Sequence, residues 1–262
     1  MPRIPFAHSS QASHLFTDRP EVIVADWQCP DAVKAFTTTR IGGASEGICA
    51  SLNMGYGIND ERSNVDENRR RVTEHWHLPS EPIWLRQVHG TRCVSAVEGQ
   101  RGEQADASVA HSVGTVCAIM TADCLPVLLA AHDASVVAAA HAGWRGLCGG
   151  ILEQTVAATG TPGSELIAWL GPAISGAVYE VDAPVRDAFL RESPQDEDGF
   201  QANRPGHWLA DLYWLARARL TRAGISTISG GERCTYSESD YFYSYRRDGS
   251  SGRMASFIWL ES

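Results

Sequence analysis

The chain alternates short β-type runs with stretches of helical periodicity. In the first third, the runs VIVAD, AFTTT, IWLRQV and CVSAV surround a helical stretch near Asn64–Trp76. In the middle third, the apolar runs TVCAIM, LPVLLAA and SVVAAAHAG are each bounded by Gly, Asp or Pro. Continuous apolar runs of this length are typical of strands buried on both faces. The pattern therefore predicts a mixed α and β fold with these three strands at the centre of a sheet.

Three further helices are predicted in the second half of the chain. One begins near Gly149, and the others span Pro184–Arg191 and Asp211–Ala223. The last two carry start signals, because Pro184 suits the first turn of a helix and Asp211 can cap the free N–H groups of the next one.

The 262 residues are predicted to form one domain. Residues 1–20 are polar and lack periodicity, which indicates a flexible N-terminal tail ahead of a single catalytic domain at 21–262. The acidic, turn-rich segment Glu192–Gly206 resembles a linker. We interpret it as a surface loop, because helix and strand patterns resume directly after it.

Charge and cysteine content narrow the possible partners and the cellular location. The net charge of −9 provides no positive field for nucleic acid or for anionic lipid, although a few arginines in a pocket can still bind a small anion. No segment approaches the apolar length of a membrane span. The seven cysteines are odd in number and form no CxxC pair, so the sequence predicts no disulfide framework and a cytoplasmic protein.

Three potential metal ligands lie where buried strands give way to turns. They are His89 in RQVHG, Cys124 in TADCLPV and His141 in AAAHAGWRG. Two imidazoles and one thiolate suit Zn²⁺, and three protein ligands leave the fourth tetrahedral position open. Such residues are more often ordinary core or hydrogen-bonded groups, and their separations match no compact zinc-finger motif. Spacing alone therefore leaves both interpretations open.

Other motifs give weaker signals. Residues 43–47 satisfy GxSxG, but a nucleophile elbow needs a strand before it and a helix after it, and the segment that follows is turn-like. The sequence has no GxGxxG after a strand, no GxxxxGK[ST] and no HExxH. Arg246 and Arg247 have the pattern of a solvated charge pair.

Six separated motifs carry a resemblance to a known family. They are RQVHG, ADAS, TADCLPV, AAAHAGWRGL, WLGPAIS and YSYRRDG..GRMASFIWL, and the match runs from about Thr38 to Leu260. The chain resembles the laccase-domain or multicopper polyphenol oxidase family, which is now regarded as purine nucleoside phosphorylases with adenosine deaminase activity. The resemblance implies an α+β fold, a single domain with stacked α/β/β/α layers.

The same resemblance implies that His89, Cys124 and His141 hold one zinc ion per chain. Copper is the alternative metal. A multicopper oxidase needs several copper sites with many histidines, and this sequence offers no HxH pair beyond His75 and His77. Cys124 can be a ligand, a nucleophile or both, and the sequence leaves this open.

The resemblance also implies a substrate pocket beside the metal. Its arginine falls on Arg40 in TRIGGAS, where we expect contacts with phosphate or ribose. The residues predicted to bind substrate are Arg40, Ser45, Gln87 and Arg145. Two positions depart from the family pattern, since Cys49 replaces a usual Tyr and Gly57 replaces a usual His.

The expected function is phosphorolysis of adenosine, inosine, guanosine or methylthioadenosine, together with deamination of adenosine. A bound zinc lowers the pKa of its water toward 7 and so suits the deamination, whereas phosphorolysis also needs bound phosphate. The expected partners are a nucleoside and phosphate, with the chain acting as a monomer. Three alternatives remain. They are an amide hydrolase of cell-wall precursors, a copper polyphenol oxidase, and a non-catalytic zinc or redox module with a fourth protein ligand.

Overall fold

The computed structural model describes residue 17, residues 19–57 and residues 59–262. The strands are β1 (Val22–Val24), β2 (Val33–Thr38), β3 (Cys93–Ser95), β4 (Ala107–Ala110), β5 (Cys117–Thr121), β6 (Leu125–Ala131), β7 (Val137–Ala142), β8 (Leu166–Leu170), β9 (Glu180–Asp182), β10 (Phe200–Ala202), β11 (His207–Ala210), β12 (Thr227–Gly230) and β13 (Met254–Leu260). The α-helices are α1 (Arg62–His75), α2 (Trp144–Gly149), α3 (Ile151–Thr159), α4 (Ala183–Glu192), α5 (Leu212–Arg222) and α6 (Tyr245–Asp248). Short 3-10 helices cover Gly47–Cys49, Glu98–Gln100, Gly163–Glu165 and Pro194–Gly199.

The strands form three sheets. A four-stranded antiparallel sheet has the order β1-β2-β13-β5. A six-stranded mixed sheet has the order β12-β8-β6-β7-β4-β3, and a small antiparallel sheet has the order β10-β11-β9. In the six-stranded sheet only the outer pairs β12–β8 and β3–β4 are parallel.

The two larger sheets pack face to face between helices. Successive side chains of β6 alternate between the two faces of its sheet. Leu128 and Ala130 face the four-stranded sheet, whereas helices α3 and α5 cover the other face, which carries Leu125, Val127 and Leu129. Helix α1 covers the outer face of the four-stranded sheet, where Val72 joins the cluster that contains Phe257. The layers therefore run α/β/β/α, which confirms the expected α+β single domain.

Local sequence signals placed several elements correctly. The Asp211 side chain accepts a hydrogen bond from the backbone N–H of Trp214 at 3.0 Å, as expected of a cap at the start of α5. Pro184 lies in the first turn of α4. The strands β6 and β7 are buried along their whole length, as their apolar runs predicted.

Two element predictions were wrong. Segment 83–88 is not a strand, because it forms only isolated bridges, from Ile83 to Cys117 and from Arg86 to Gln104. The Gln87 side chain fastens its end by donating to the carbonyl of Met120 and accepting from its N–H, both at 2.7 Å. Segment 192–206 is not wholly a loop, since it contains a 3-10 helix and β10. Phe200 is 9% exposed and packs 5.5 Å from Phe189, and this burial draws the segment onto the domain.

The predicted tail, residues 1–20, lies almost entirely outside the described residues. Within the described part of the chain, no helix combines the length and apolar character that crossing a membrane requires. All seven cysteines are free thiols.

Candidate metal centre and active site

His89, Cys124 and His141 converge on one point. Their potential ligand atoms all lie within 4.8 Å of one another. The Cys124 Sγ lies 3.7 Å from Nε2 of His89, and the two imidazole rings are 4.8 Å apart at 73°. His141 is buried, Cys124 is partly exposed and His89 is exposed, so the cluster opens to solvent on the His89 side.

Sheet register brings His141 and Cys124 together. His141 lies near the end of β7, opposite Pro126 of β6, and Cys124 directly precedes β6. His89 lies in a bend with a φ of 61°, a left-handed backbone conformation. The ligands are therefore held by strand ends and by this bend.

A buried carboxylate supports two of the ligands. Asp106 accepts hydrogen bonds from the backbone N–H groups of Val88, His89 and Gly90 at 3.2, 2.9 and 2.7 Å. The same carboxylate lies 2.8 Å from Nδ1 of His141. This contact leaves Nε2 of His141 for the cluster, in the carboxylate–histidine arrangement common at metal sites.

The ligands are electrostatically coupled. Burial raises the pKa of the Cys124 thiol, but the charges and hydrogen bonds of His141 and His89 outweigh it and bring this pKa to about 6. Burial lowers the pKa of His141, whereas the Cys124 charge and the bond to Asp106 raise it to about 9. At neutral pH the thiol is therefore ionised, which is the form that binds metals.

The packing around the cluster leaves no room for a further side-chain atom at residue 143. A Cβ at Gly143 would lie 2.8 Å from Sγ of Cys124 and 2.9 Å from Cδ2 of His89. Together with the ligand set and the bond between Asp106 and His141, this spacing fits one metal ion. Among the described residues this is the single group of three or more His, Cys, Asp or Glu side chains placed for a metal.

Of the predicted substrate residues, Gln87 and Arg145 belong to the segments that carry His89 and His141. The Gln87 amide joins the turn before His89 to β5 through its two bonds to Met120. Arg145 is exposed, and its guanidinium stacks 4.4 Å from the ring of Trp144. The Arg145 charge lowers the pKa of the Tyr179 phenol, whereas the Cys124 charge raises it.

Arg40 and Ser45 belong to a second group of hydrogen-bonded side chains and backbone carbonyls. The Arg40 guanidinium donates to the carbonyls of Ala50 and Ser239 and stacks 4.8 Å from the Tyr243 ring. Ser45 is fully buried and donates to Asp60 at 2.7 Å. A buried serine followed by a 3-10 turn is no nucleophile elbow, as the sequence indicated. Direct substrate contact by Arg40 and Ser45 stays a prediction.

The two departures from the family pattern lie at different depths. Cys49 is fully buried, and burial raises the pKa of its thiol. Gly57 has a φ of 77° and open space where a side chain would be.

Arg247 is not simply solvated, because its guanidinium donates to the carbonyls of Thr235, Tyr236 and Phe242.

Sequence reasoning gave no role to four residues near the cluster: Asp106, Asp123, Tyr179 and Arg253. Asp123 is 8% exposed and accepts from Thr235, Ser244 and the backbone N–H of Arg246, so it ties the C-terminal segment to the cysteine turn. Asp106 stands in ADAS and Arg253 in GRMA, two motifs already noted, and a charged residue beside a buried strand was the available signal.

Comparisons with known proteins agree with this architecture. The family model described as multi-copper polyphenol oxidoreductase laccase matches residues 34–261. The Escherichia coli (strain K12) protein named purine nucleoside phosphorylase YfiH is 48% identical over 241 residues, 92% of this chain and 99% of that protein. Purine nucleoside phosphorylase PA4543 of Pseudomonas aeruginosa is 47% identical over 240 residues, 91% of this chain and 98% of that protein.

A solved structure is similar as well. The crystal structure of Neisseria meningitidis protein NMB0706 superposes with a TM-score of 0.89 at 47% identity, covering 92% of this chain and 99% of that chain. The sequence motifs, the order of the layers and the near-complete coverage thus all support membership of one family. The chain belongs to the multi-copper polyphenol oxidoreductase laccase family.

Proposed function

We propose that this chain is a zinc-dependent purine nucleoside phosphorylase that also deaminates adenosine. The observation that carries the proposal is the cluster of His89, Cys124 and His141, buried on one side and open on the other. A structural zinc site is closed by four protein ligands, whereas a catalytic site keeps one position free. The names of the relatives above support the nucleoside substrate.

Zinc is the proposed metal, at one ion per chain. Two imidazoles and one thiolate form the donor set, and this mixed set suits zinc. When bound, zinc supplies a Lewis acid and lowers the pKa of a bound water toward neutrality. The buried Asp106 keeps His141 oriented, and Gly143 keeps the space beside Cys124 open.

The protein's own groups suit the rest of the reaction. In phosphorolysis a phosphate oxygen forms a bond to C1′ as the N-glycosidic bond breaks, and the base leaves with a proton, giving ribose 1-phosphate. Cations are needed to hold the phosphate. Arg253 interacts electrostatically with Cys124, and Arg145 interacts with Tyr179. The Arg40 guanidinium already donates to the carbonyls of Ala50 and Ser239, so of its two predicted partners, phosphate and ribose, we assign it to the ribose side of the proposed pocket. Free thiols throughout support a reducing compartment such as the cytoplasm.

The decisive experiment incubates the zinc-loaded protein with adenosine, inosine, guanosine and methylthioadenosine, with and without phosphate. We expect free base and ribose 1-phosphate only with phosphate, and inosine from adenosine without it. Cys124→Ala should abolish both activities, while Cys29→Ala, a partly exposed thiol outside the cluster, should retain them. Absence of nucleoside turnover in the zinc-loaded parent, with release of amide-bond products from cell-wall precursors, would identify the hydrolase instead.

A further inference from the structure

The Arg253 side chain has unused hydrogen-bonding capacity. Its Nη1 donates to the carbonyls of Ser251 and Gly252 at 2.7 and 3.1 Å. Among the described residues, neither Nε nor Nη2 of Arg253 has a hydrogen-bond acceptor, and no carboxylate lies within ion-pair distance. One edge of a partly buried guanidinium is therefore free.

The backbone fixes the position of Arg253. Its N–H donates to Oδ1 of Asn53 at 2.9 Å, and its carbonyl accepts from the N–H of Met54 at 3.0 Å. Met254 pairs with Thr121 in the antiparallel register of β13 and β5. Arg253 therefore stands at the end of this strand pair where the chain continues from Thr121 toward Cys124.

The Arg253 guanidinium lies within electrostatic range of the metal cluster. Burial lowers the pKa of Arg253, and the negative charges of Cys124 and Asp123 are the main influences that raise it. Asp123 is not its hydrogen-bonding partner, since that carboxylate is taken up by Thr235, Ser244 and the N–H of Arg246. A bound metal would offset the thiolate charge, which leaves a half-buried cation suited to an external anion.

Tyr179 offers a second free polar group that interacts electrostatically with Cys124. Among the described residues its hydroxyl has no hydrogen-bond partner. Burial raises the pKa of this phenol, followed by the charge of Cys124, while Arg246 and Arg145 act in the opposite direction. A neutral phenol donor and a free arginine edge are complementary to the oxygens of a phosphate.

We propose that Arg253 binds the inorganic phosphate co-substrate through its free Nε and Nη2 edge, beside the metal cluster. The use of that phosphate in phosphorolysis rests on the proposed function, but the binding of the anion does not. Arg253 is thus assigned as a phosphate-binding residue.

The test measures binding of inorganic phosphate to the full-length, zinc-loaded protein by calorimetry, without nucleoside. Arg253→Lys keeps the charge but loses the fork, and Arg253→Gln loses the charge. We expect phosphate affinity to fall by at least about tenfold in both, with zinc content unchanged. Arg217→Lys is the matched control, because Arg217 also donates to backbone carbonyls but lies beside β12.

Thermal unfolding of each variant identifies any loss of folding. If Arg253→Gln does not fold, the phosphate affinity of Arg253→Lys alone tests the inference. Parent-like phosphate affinity in a folded Arg253→Lys protein would overturn the inference, as would a parent protein that binds no phosphate. Phosphate binding that depends on Arg253 in a protein without phosphorolysis would support the anion site and overturn the proposed function.

Discussion

Asp106 and His141 are joined by a 2.8 Å contact between Oδ1 and Nδ1, and both side chains are almost fully buried. The same carboxylate accepts the backbone N–H groups of Val88, His89 and Gly90. One acid thus fixes the ring of one ligand directly and the chain position of another through its backbone. The geometry of the cluster depends on a residue that is not itself a ligand.

Replacing this acid should weaken metal binding. Asp106→Asn keeps the size of the side chain but removes its charge and replaces one acceptor with a donor that faces N–H groups. We expect zinc affinity to fall by about 10- to 100-fold, measured by competition with a chelator. Asp133→Asn is the control, because Asp133 accepts from the N–H of Ser135 at an exposed turn. Equal zinc affinity in the two variants would show that Asp106 does not support the ligands.

The sequence predicted the ligands but not their support. His89, Cys124 and His141 could be found because each is a metal-binding residue type at the end of an apolar run. Asp106 could not, because its partners are backbone N–H groups that converge only once the turn at His89 takes its left-handed conformation. The charged residue beside a buried strand in ADAS was a signal, but it does not by itself distinguish a buried acid from a solvated one.

The position of Arg253 likewise depends on pairing between distant segments. β13 and β5 lie far apart in sequence, and their register places Arg253 near the cysteine turn. The buried strands β6 and β7 were predictable because they are apolar on both faces. β10 was not, because its place depends on the tertiary contact between Phe200 and Phe189.

A side chain at residue 143 should displace the ligands. The methyl group of Gly143→Ala would lie within 3 Å of both Cys124 and His89, closer than atoms can pack. We expect purified Gly143→Ala protein to contain much less zinc than the parent, measured by elemental analysis. Gly99→Ala is the control, since the space around Gly99 is open. Stoichiometric zinc in folded Gly143→Ala protein would mean that the ligands do not occupy the positions described.

The metal-free protein should carry a thiolate at unusually low pH. The pKa of Cys124 is about 6, below the ordinary value of 9.0, so the thiolate persists as the pH falls from 9 and is lost as it passes through about 6. Thiolate absorbance near 240 nm in chelated protein should show this step, and Cys124→Ala should lack it. Cys117 provides an internal contrast, because burial raises the pKa of its thiol to about 12. A Cys124 step near pH 9 would contradict the coupling to His141.

Arg40 gives a prediction in which stability and binding can be separated. Its Nε and Nη2 donate to the carbonyl of Ala50 at 2.9 and 2.7 Å, and its Nη1 donates to that of Ser239 at 3.0 Å. A lysine ammonium cannot span both carbonyls, so Arg40→Lys should lose hydrogen bonds from a charged donor, each worth about 1.5 to 3 kcal/mol. We expect a lower free energy of unfolding, measured in urea, with phosphate affinity within about twofold of the parent. Phosphate affinity reduced about tenfold with unchanged stability would instead make Arg40 a direct phosphate ligand, as the family resemblance implies, and would place two arginines around the anion.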